Sequence, residues 1–470
     1  MTRNRKNQST QPFKAKISEL VGVLNGRASQ INKKSVKPTG YDSLILGDGP
    51  LGTYSMDPKK SSVNNNVLVI AGTGGGKTKS VVEANLLHAE HQSMTVLLTK
   101  RRLIDQYTPL LKKRGYDVKV LDLVHPEKST IGYDPILHLK SETDIVGLSK
   151  ALVMSSGSTS LKEPYWENAA ADLFVAFVKL AQHVYGAHAR MADVLDSIQR
   201  IDFSLSSDED EEGTSYEDTI AGIPFIQLPP GEQFEMLRDK DPQMYMSWNQ
   251  YRNNASNTRA CIRSMLISVI NAVMPEEIQK IMAKREQLNF TDLVNRKTVL
   301  FILTSPVNPA LHPFANLMLG SLFKELFEYA EEQPEGRVPI PFMAICDDFA
   351  TGGRIPDFQQ YISIFREKGI SVMMLVQSLS QLAGMYGQHA SITIQDNTAN
   401  IIYMGGNNLE TATQIACRIN KPVDEILALP EGQIYLFRSG QKALQLQRYQ
   451  IYNDPLYQLE IAPHETGYLR

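Results

Sequence analysis

The chain has 470 residues, 42% hydrophobic and 21% charged, with a formal net charge of −3, enough to bury a large core over two or three domains. Three cysteines (Cys261, Cys346, Cys417), odd in number and without metal-ligand spacing, exclude a disulfide scaffold and read as core thiols of a reducing compartment. No apolar run of about 18 residues and no signal peptide occur, so no membrane span is expected, and the near-neutral balance gives the whole chain no electrostatic footprint for nucleic acid.

Charge is unevenly placed. Residues 1–40 hold nine Lys or Arg (Arg3, Arg5, Lys6, Lys14, Lys16, Arg27, Lys33, Lys34, Lys37) against Glu19, a local net of +8. Such a basic arm suits anionic lipid, DNA or an acidic partner, or else only solubilises the chain. A nucleotide-binding domain is expected to begin at 41 and to run to 142.

Residues 67–78, VLVIAGTGGGKT, carry the strongest signal in the chain. A strand (Val67–Ile70) enters a glycine loop and a helical pattern follows, the context a phosphate-binding loop requires. Gly72, Thr73, Gly74, Gly75 and Gly76 let backbone N–H groups converge on phosphate oxygens, and the helix N-terminus adds partial positive charge. Lys77 would reach the β/γ-phosphates and Thr78 would ligate Mg²⁺, so a nucleoside triphosphate with Mg²⁺ is the expected ligand. Ala71 stands where the usual motif has its first glycine, a position that only turns the chain.

Met94–Thr99 and Asp117–Leu123 read as further strands, with a helix over Leu103–Arg114 between them, the alternation of a parallel sheet. Pro135 and the polar run Ser155–Ser160 break it. From 143 to 288 long helical patterns dominate (Asn168–Val184, Ala187–Arg200, Pro230–Asp239, Asn254–Met274), a candidate inserted all-helical domain. The acidic block Ser206–Asp218 reads as a solvated loop. From 289 to 455 the α/β pattern resumes with strands at Thr298–Thr304, Phe342–Asp348, Ile370–Ser378, Asn400–Gly406 and Gln433–Gly440, leaving a tail at 456–470.

The strand Phe342–Cys346 ends in Asp347-Asp348. The first acid is expected to hold the Mg²⁺ shell from a strand beside the loop, and the second to orient or deprotonate the attacking water. Gln377, ending the next strand, would hydrogen-bond the γ-phosphate or the lytic water, or simply cap the surface. Arg366 is a candidate arginine finger for a neighbour's site, or a helix C-terminal cation, and Arg354 is a second candidate.

The segment CDDFATGGRIPDFQQYISIFREKGISVMMLVQSLSQLAGMYG (Cys346–Gly387) resembles the most characteristic stretch of the type IV secretion coupling ATPases, the conjugative DNA-transfer pumps. NNNVLVIAGTGGGKT, KKRGYDVKVLDLVHPEKS, EPYWENAAADLF, NIIYMGGNNLETATQIACRI and LPEGQIYLFRSG extend the likeness over most of 62–455. The resemblance implies an α/β, RecA-like P-loop NTPase with a mostly parallel sheet and an inserted all-helical domain. It implies a homo-hexameric ring at the inner membrane that moves relaxase-bound single-stranded DNA, or protein effectors, toward a secretion channel. By position, Lys77, Thr78, Asp347, Asp348, Arg366 and Gln377 match that family's nucleotide-site positions.

Three departures stand out. Thr99-Lys100-Arg101-Arg102 replaces the family's Asp-Pro-Lys-Gly, and the triple Lys100-Arg101-Arg102 within it is the best sequence candidate for a pore loop. Asp348 replaces the usual glutamate, which would slow hydrolysis. The family's two N-terminal membrane helices have no counterpart, so recruitment to the cell membrane from the cytoplasm would need the basic arm or a membrane-anchor subunit. A cytosolic DNA translocase or helicase and a non-hydrolysing nucleotide-binding substrate adaptor stay open as alternatives.

Overall fold

The computed structural model describes residues 42–49, 52–56, 63–155, 165–201, 224–349 and 351–465. The basic arm, the acidic block Ser206–Asp218, the run after Ser155 and the last five residues of the tail lie outside the described residues.

Parallel strands buried on both faces need continuous apolar runs rather than alternation. Such runs form β3 (Val67–Ile70), β4 (Ser93–Leu98), β6 (Thr298–Leu303), β7 (Phe342–Cys346), β8 (Ile370–Val376) and β9 (Asn400–Tyr403), every residue of which is buried. With β1 (Leu44–Gly49), β2 (Gly52–Met56), β5 (Asp117–Asp122), β10 (Gln433–Arg438) and β11 (Leu444–Gln447) they build one eleven-stranded sheet. Its order is β2-β1-β11-β10-β9-β3-β8-β7-β4-β6-β5. Every pairing from β9 to β5 is parallel, and every pairing from β2 to β9 is antiparallel.

Successive residues of each strand feed opposite faces. Leu68 and Ile70 enter one hydrophobic cluster, Val67 and Val69 the other. The helices between β5 and β6, including Tyr165–Tyr185, Pro242–Arg252 and Ser256–Val273, pack into the first cluster. Their centre is aromatic: Phe234 stacks on Trp248 at 4.5 Å between ring centroids, and Phe177 meets both edge-on. Such ring pairs add about 0.5–1.5 kcal/mol beyond the area they bury. The other face is covered by the helix Arg101–Lys113 and by the C-terminal segment through Tyr449, Ile451, Tyr457 and Ile461.

Three expectations change. The acid-bearing β7 is not beside β3, because β8 pairs with both and lies between them. Strands β1, β2 and β11 went unread: β1 is interrupted at Gly47, φ +150°, where its register with β2 shifts, and β11 is the short alternating edge LQLQ. Finally, Cys346 is buried in the core, its thiol pushed up to about 12 by burial, whereas Cys261 and Cys417 are exposed. Among the described residues no helix is long and apolar enough to cross a membrane.

Candidate nucleotide site

A parallel sheet delivers the ends of several strands to one edge. Ile70 lies opposite Val376 of β8, Cys346 of β7 opposite Met374, and Leu97 of β4 opposite Cys346. The segments that follow, Ala71–Thr78, Gln377, Asp347-Asp348 and Thr99-Lys100, therefore emerge side by side.

The loop closes on itself and on its neighbours. Ala71 N–H donates to Val376 O at 3.1 Å, Gly72 N–H to Gly405 O at 3.0 Å and Gly75 N–H to Gly72 O at 3.1 Å. Gly74 (φ +77°) and Gly76 (φ +82°) sit in the left-handed region, where a Cβ strains the backbone. The Ala71 methyl is tolerated because Gly75 above it has no side chain; a Cβ there would stand 3.0 Å from Ala71 Cβ. A widened, π-type helical turn (Thr78–Glu83) then begins the helix, a form frequent at functional sites.

Lys77, half-buried, donates through Nζ to the carbonyl of Ala71 at 2.8 Å. Burial pulls its pKa down, and the carboxylates of Asp348 and Asp347 pull it back up. Thr78 Oγ1 donates to Asp347 Oδ2 at 2.8 Å. Asp347 is buried, which raises its pKa; the Thr78 hydrogen bond lowers it, Asp348 raises it, and Lys77 and Lys100 lower it. Asp348, half-buried, takes φ +56°, a left-handed conformation that Asp tolerates better than most side chains. A half-buried hydroxyl and a buried carboxylate that meet at one point, beside a lysine and a glycine loop, are a donor set that fits Mg²⁺ and a polyphosphate.

The remaining candidates fall in different places. Gln377 is exposed at the level of Ala71, its N–H bonded to Gln381 Oε1 at 2.9 Å. Arg354 is exposed in the connection after β7, on the edge that carries Lys77. Arg366, exposed in the last turn of the helix Phe358–Lys368, is not brought to its own chain's site. It precedes β8, so the full strand, roughly 23 Å at ~3.3 Å per residue, separates it from the loop edge. In the proposed pore triple, Arg101 is tied to buried Asp122 and opens the helix Arg101–Lys113, while Lys100 acts on Asp347.

Sequence reading missed two features. Gly405-Gly406 underlie the loop, and a Cβ on Gly72 would stand 3.3 Å from Gly406 Cα. Arg448, just after the unread β11, lies over the loop, its Nη1 3.0 Å from where a Cβ on Gly76 would be. No motif flags it.

The sheet, loop and acid pair together define a RecA-like P-loop NTPase. The same fold occurs in the bacterial conjugative coupling protein TrwB: a sulphate-bound form lacking 70 N-terminal residues aligns at TM-score 0.59 with 14% identity, over 90% of this chain and 92% of that one. TrwB in complex with ADP and Mg²⁺ aligns at 0.59 with 14% identity, over 92% of this chain and 94% of that one. The model of the type IV secretory system conjugative DNA transfer family matches residues 14–421, and the chain belongs to that family. Protein VirD4 of Rhizobium rhizogenes is 23% identical over 388 residues, 79% of this chain and 51% of that protein. Its Agrobacterium fabrum counterpart is 23% identical over 367 residues, 74% of this chain and 48% of that protein. The chain spans about half the length of the curated relatives it matches.

Proposed function

We propose that this protein is an ATP-hydrolysing coupling protein that recruits relaxase-bound single-stranded DNA and drives it toward a type IV secretion channel. The observation that carries the reading is the convergence of Lys77, Thr78 and Asp347 on one edge of the sheet, in a chain of the conjugative transfer family. ATP and Mg²⁺ are the proposed ligands, which accords with the TrwB structures in complex with ADPNP and with ADP and Mg²⁺.

In this reading the amides of Thr73, Gly74, Gly76, Lys77 and Thr78 cradle the phosphates, while those of Gly72 and Gly75 hold the loop's shape through the carbonyls of Gly405 and Gly72, and Lys77 leaves the Ala71 carbonyl for the β/γ oxygens. Thr78 and Asp347 would hold Mg²⁺, which neutralises phosphate charge as the terminal phosphoryl leaves. Asp348 orients the attacking water and takes its proton. Gln377 hydrogen-bonds the γ-phosphate or that water. Arg366 or Arg354 enters a neighbour's site within a homo-hexamer. DNA is gripped in the ring through phosphates, without sequence preference. The basic arm, a membrane-anchor subunit, or both hold the ring at the inner face of the cell membrane.

The test is phosphate release from ATP with and without single-stranded DNA, in the wild type and in Lys77→Ala. DNA-stimulated turnover lost in the variant supports the motor. Tight ATP binding without turnover would replace it with a non-hydrolysing adaptor, the reading favoured by the short Asp348. DNA-stimulated turnover without capture of any relaxase would leave a general translocase.

A further inference from the structure

Arg448 is delivered to the phosphate loop by a C-terminal strap fastened to the loop's own helix. At the start of that helix, Lys79 Nζ lies 3.0 Å from Glu83 and 3.2 Å from the Tyr457 hydroxyl, over the Tyr452 and Tyr457 rings. At its end, His88 Nε2 lies 2.7 Å from Asp454 Oδ2 and 3.3 Å from the Tyr449 hydroxyl, and Tyr449 itself donates to Asp454. Tyr449 is buried directly after Arg448, whose own N–H donates to Gly432 O at 2.6 Å. The backbone that carries the guanidinium is thus fixed relative to Gly76.

The guanidinium itself is lightly held. Its one ion pair among the described residues is with Glu431 at 3.0 Å, and that glutamate is 86% exposed. An exposed pair of this kind is worth little and is readily exchanged, whereas an arginine fork on phosphate makes two parallel charge-assisted hydrogen bonds. Position sets which phosphates it meets. Asp347 approaches the loop from the β7 side, and Arg448 approaches from the β10–β11 side, with β3 between them. If the metal end of the nucleotide faces Asp347, the opposite flank is left for the α- and β-phosphates.

We propose that Arg448 is a nucleotide-binding residue: on nucleotide entry its guanidinium exchanges Glu431 for the α/β-phosphates of the same chain's nucleotide. This rests on the ATP reading above. The contact is made equally with di- and triphosphate and before chemistry, so it contributes uniform binding rather than transition-state stabilisation.

The experiment titrates ADP and ATP, each with Mg²⁺, into wild type, Arg448→Ala, Arg448→Lys and Glu431→Gln, alongside steady-state turnover and thermal melting without nucleotide. Arg448→Ala is expected to weaken both nucleotides by about tenfold and to raise KM alike, with kcat within about twofold. Arg448→Lys keeps the charge and recovers part of the loss. Glu431→Gln, which leaves Arg448 in place and frees it, tightens both nucleotides by about two- to threefold. A role confined to holding the strap would lower the melting temperature and leave Glu431→Gln without effect on affinity, which overturns the proposal. Wild-type affinity in Arg448→Ala, or a fall in kcat at unchanged affinity, also overturns it while the ATP reading stands. Wild-type protein that binds neither nucleotide removes the ATP reading, and this proposal with it.

Discussion

Thr78 and Asp347, 269 positions apart in sequence, share a 2.8 Å hydrogen bond although their strands are not neighbours. Strand β8 lies between β3 and β7, and the loop reaches across its carboxyl end. Half of this contact is glycine chemistry and half is sheet order.

Lys77→Ala removes the cation nearest the proposed terminal phosphates. Turnover of ATP should fall at least about 100-fold, as measured by phosphate release. Burial penalises the Lys77 charge, so the folded protein should lose little stability, and a melting curve checks that.

Asp347→Asn should stabilise the protein at neutral pH while stopping hydrolysis. Burial raises the folded pKa of Asp347 above its ordinary 3.8. Its charge is therefore a cost to folding that is full above the raised value and disappears as pH falls through 3.8. Melting of wild type and variant across pH 7 to 4 should show a gain that closes toward the acid end. A variant less stable than wild type at pH 7 would contradict this.

Asp348→Asn should keep the fold, since Asn accepts φ +56° as readily as Asp, and should cut kcat by about 10²–10⁴-fold through loss of the base. Asp348→Glu should lengthen the reach at a cost of roughly 1 kcal/mol in the left-handed backbone. A higher kcat in that variant would identify the short carboxylate as a brake on hydrolysis.

Asp454→Asn should loosen the strap. Burial alone would raise this carboxyl, but hydrogen bonds from His88, Tyr449 and Leu456 outweigh it and hold the pKa at about 2. The stabilisation is present above the ordinary 3.8 and is lost as pH falls toward that lower value. Screened by solvent at the cluster's open side, it is about 1 kcal/mol. The difference in denaturant midpoint between wild type and variant should shrink below about pH 4.

Gly132→Ala should cost about 2–4 kcal/mol. A Cβ at Gly132 would stand 2.5 Å from the carbonyl oxygen of Ile281, at the parallel bridge between Gly132 and Gln287. Denaturant unfolding measures it.

Much of the site was legible one strand at a time. VLVIAGTGGGKT announces its loop because glycine conformation and lysine charge are local properties, and Phe342–Asp348 announces an acid pair because two carboxylates directly follow a continuous apolar run. The helical patterns over Asn168–Val184 and Asn254–Met274 fall on the helices Tyr165–Tyr185 and Ser256–Val273 for the same reason, a repeat visible within one element. What sequence could not order was the edge. LILGDG is broken at its glycine, and LQLQ is four residues long with only Leu446 buried, so neither carries a strong periodic signal, yet LQLQ leads Arg448 over Gly76.

The amino-acid sequence by itself determined the chemistry available here: a phosphate cradle, a lysine, a hydroxyl and two carboxylates. Tertiary structure alone decided their company, seating β8 between loop and acid, carrying Arg366 to the far end of that strand and bringing Arg448 to the loop. The physical reason is that side-chain chemistry and backbone freedom belong to single residues, whereas neighbourhood in a sheet depends on which buried strands pair across hundreds of intervening positions.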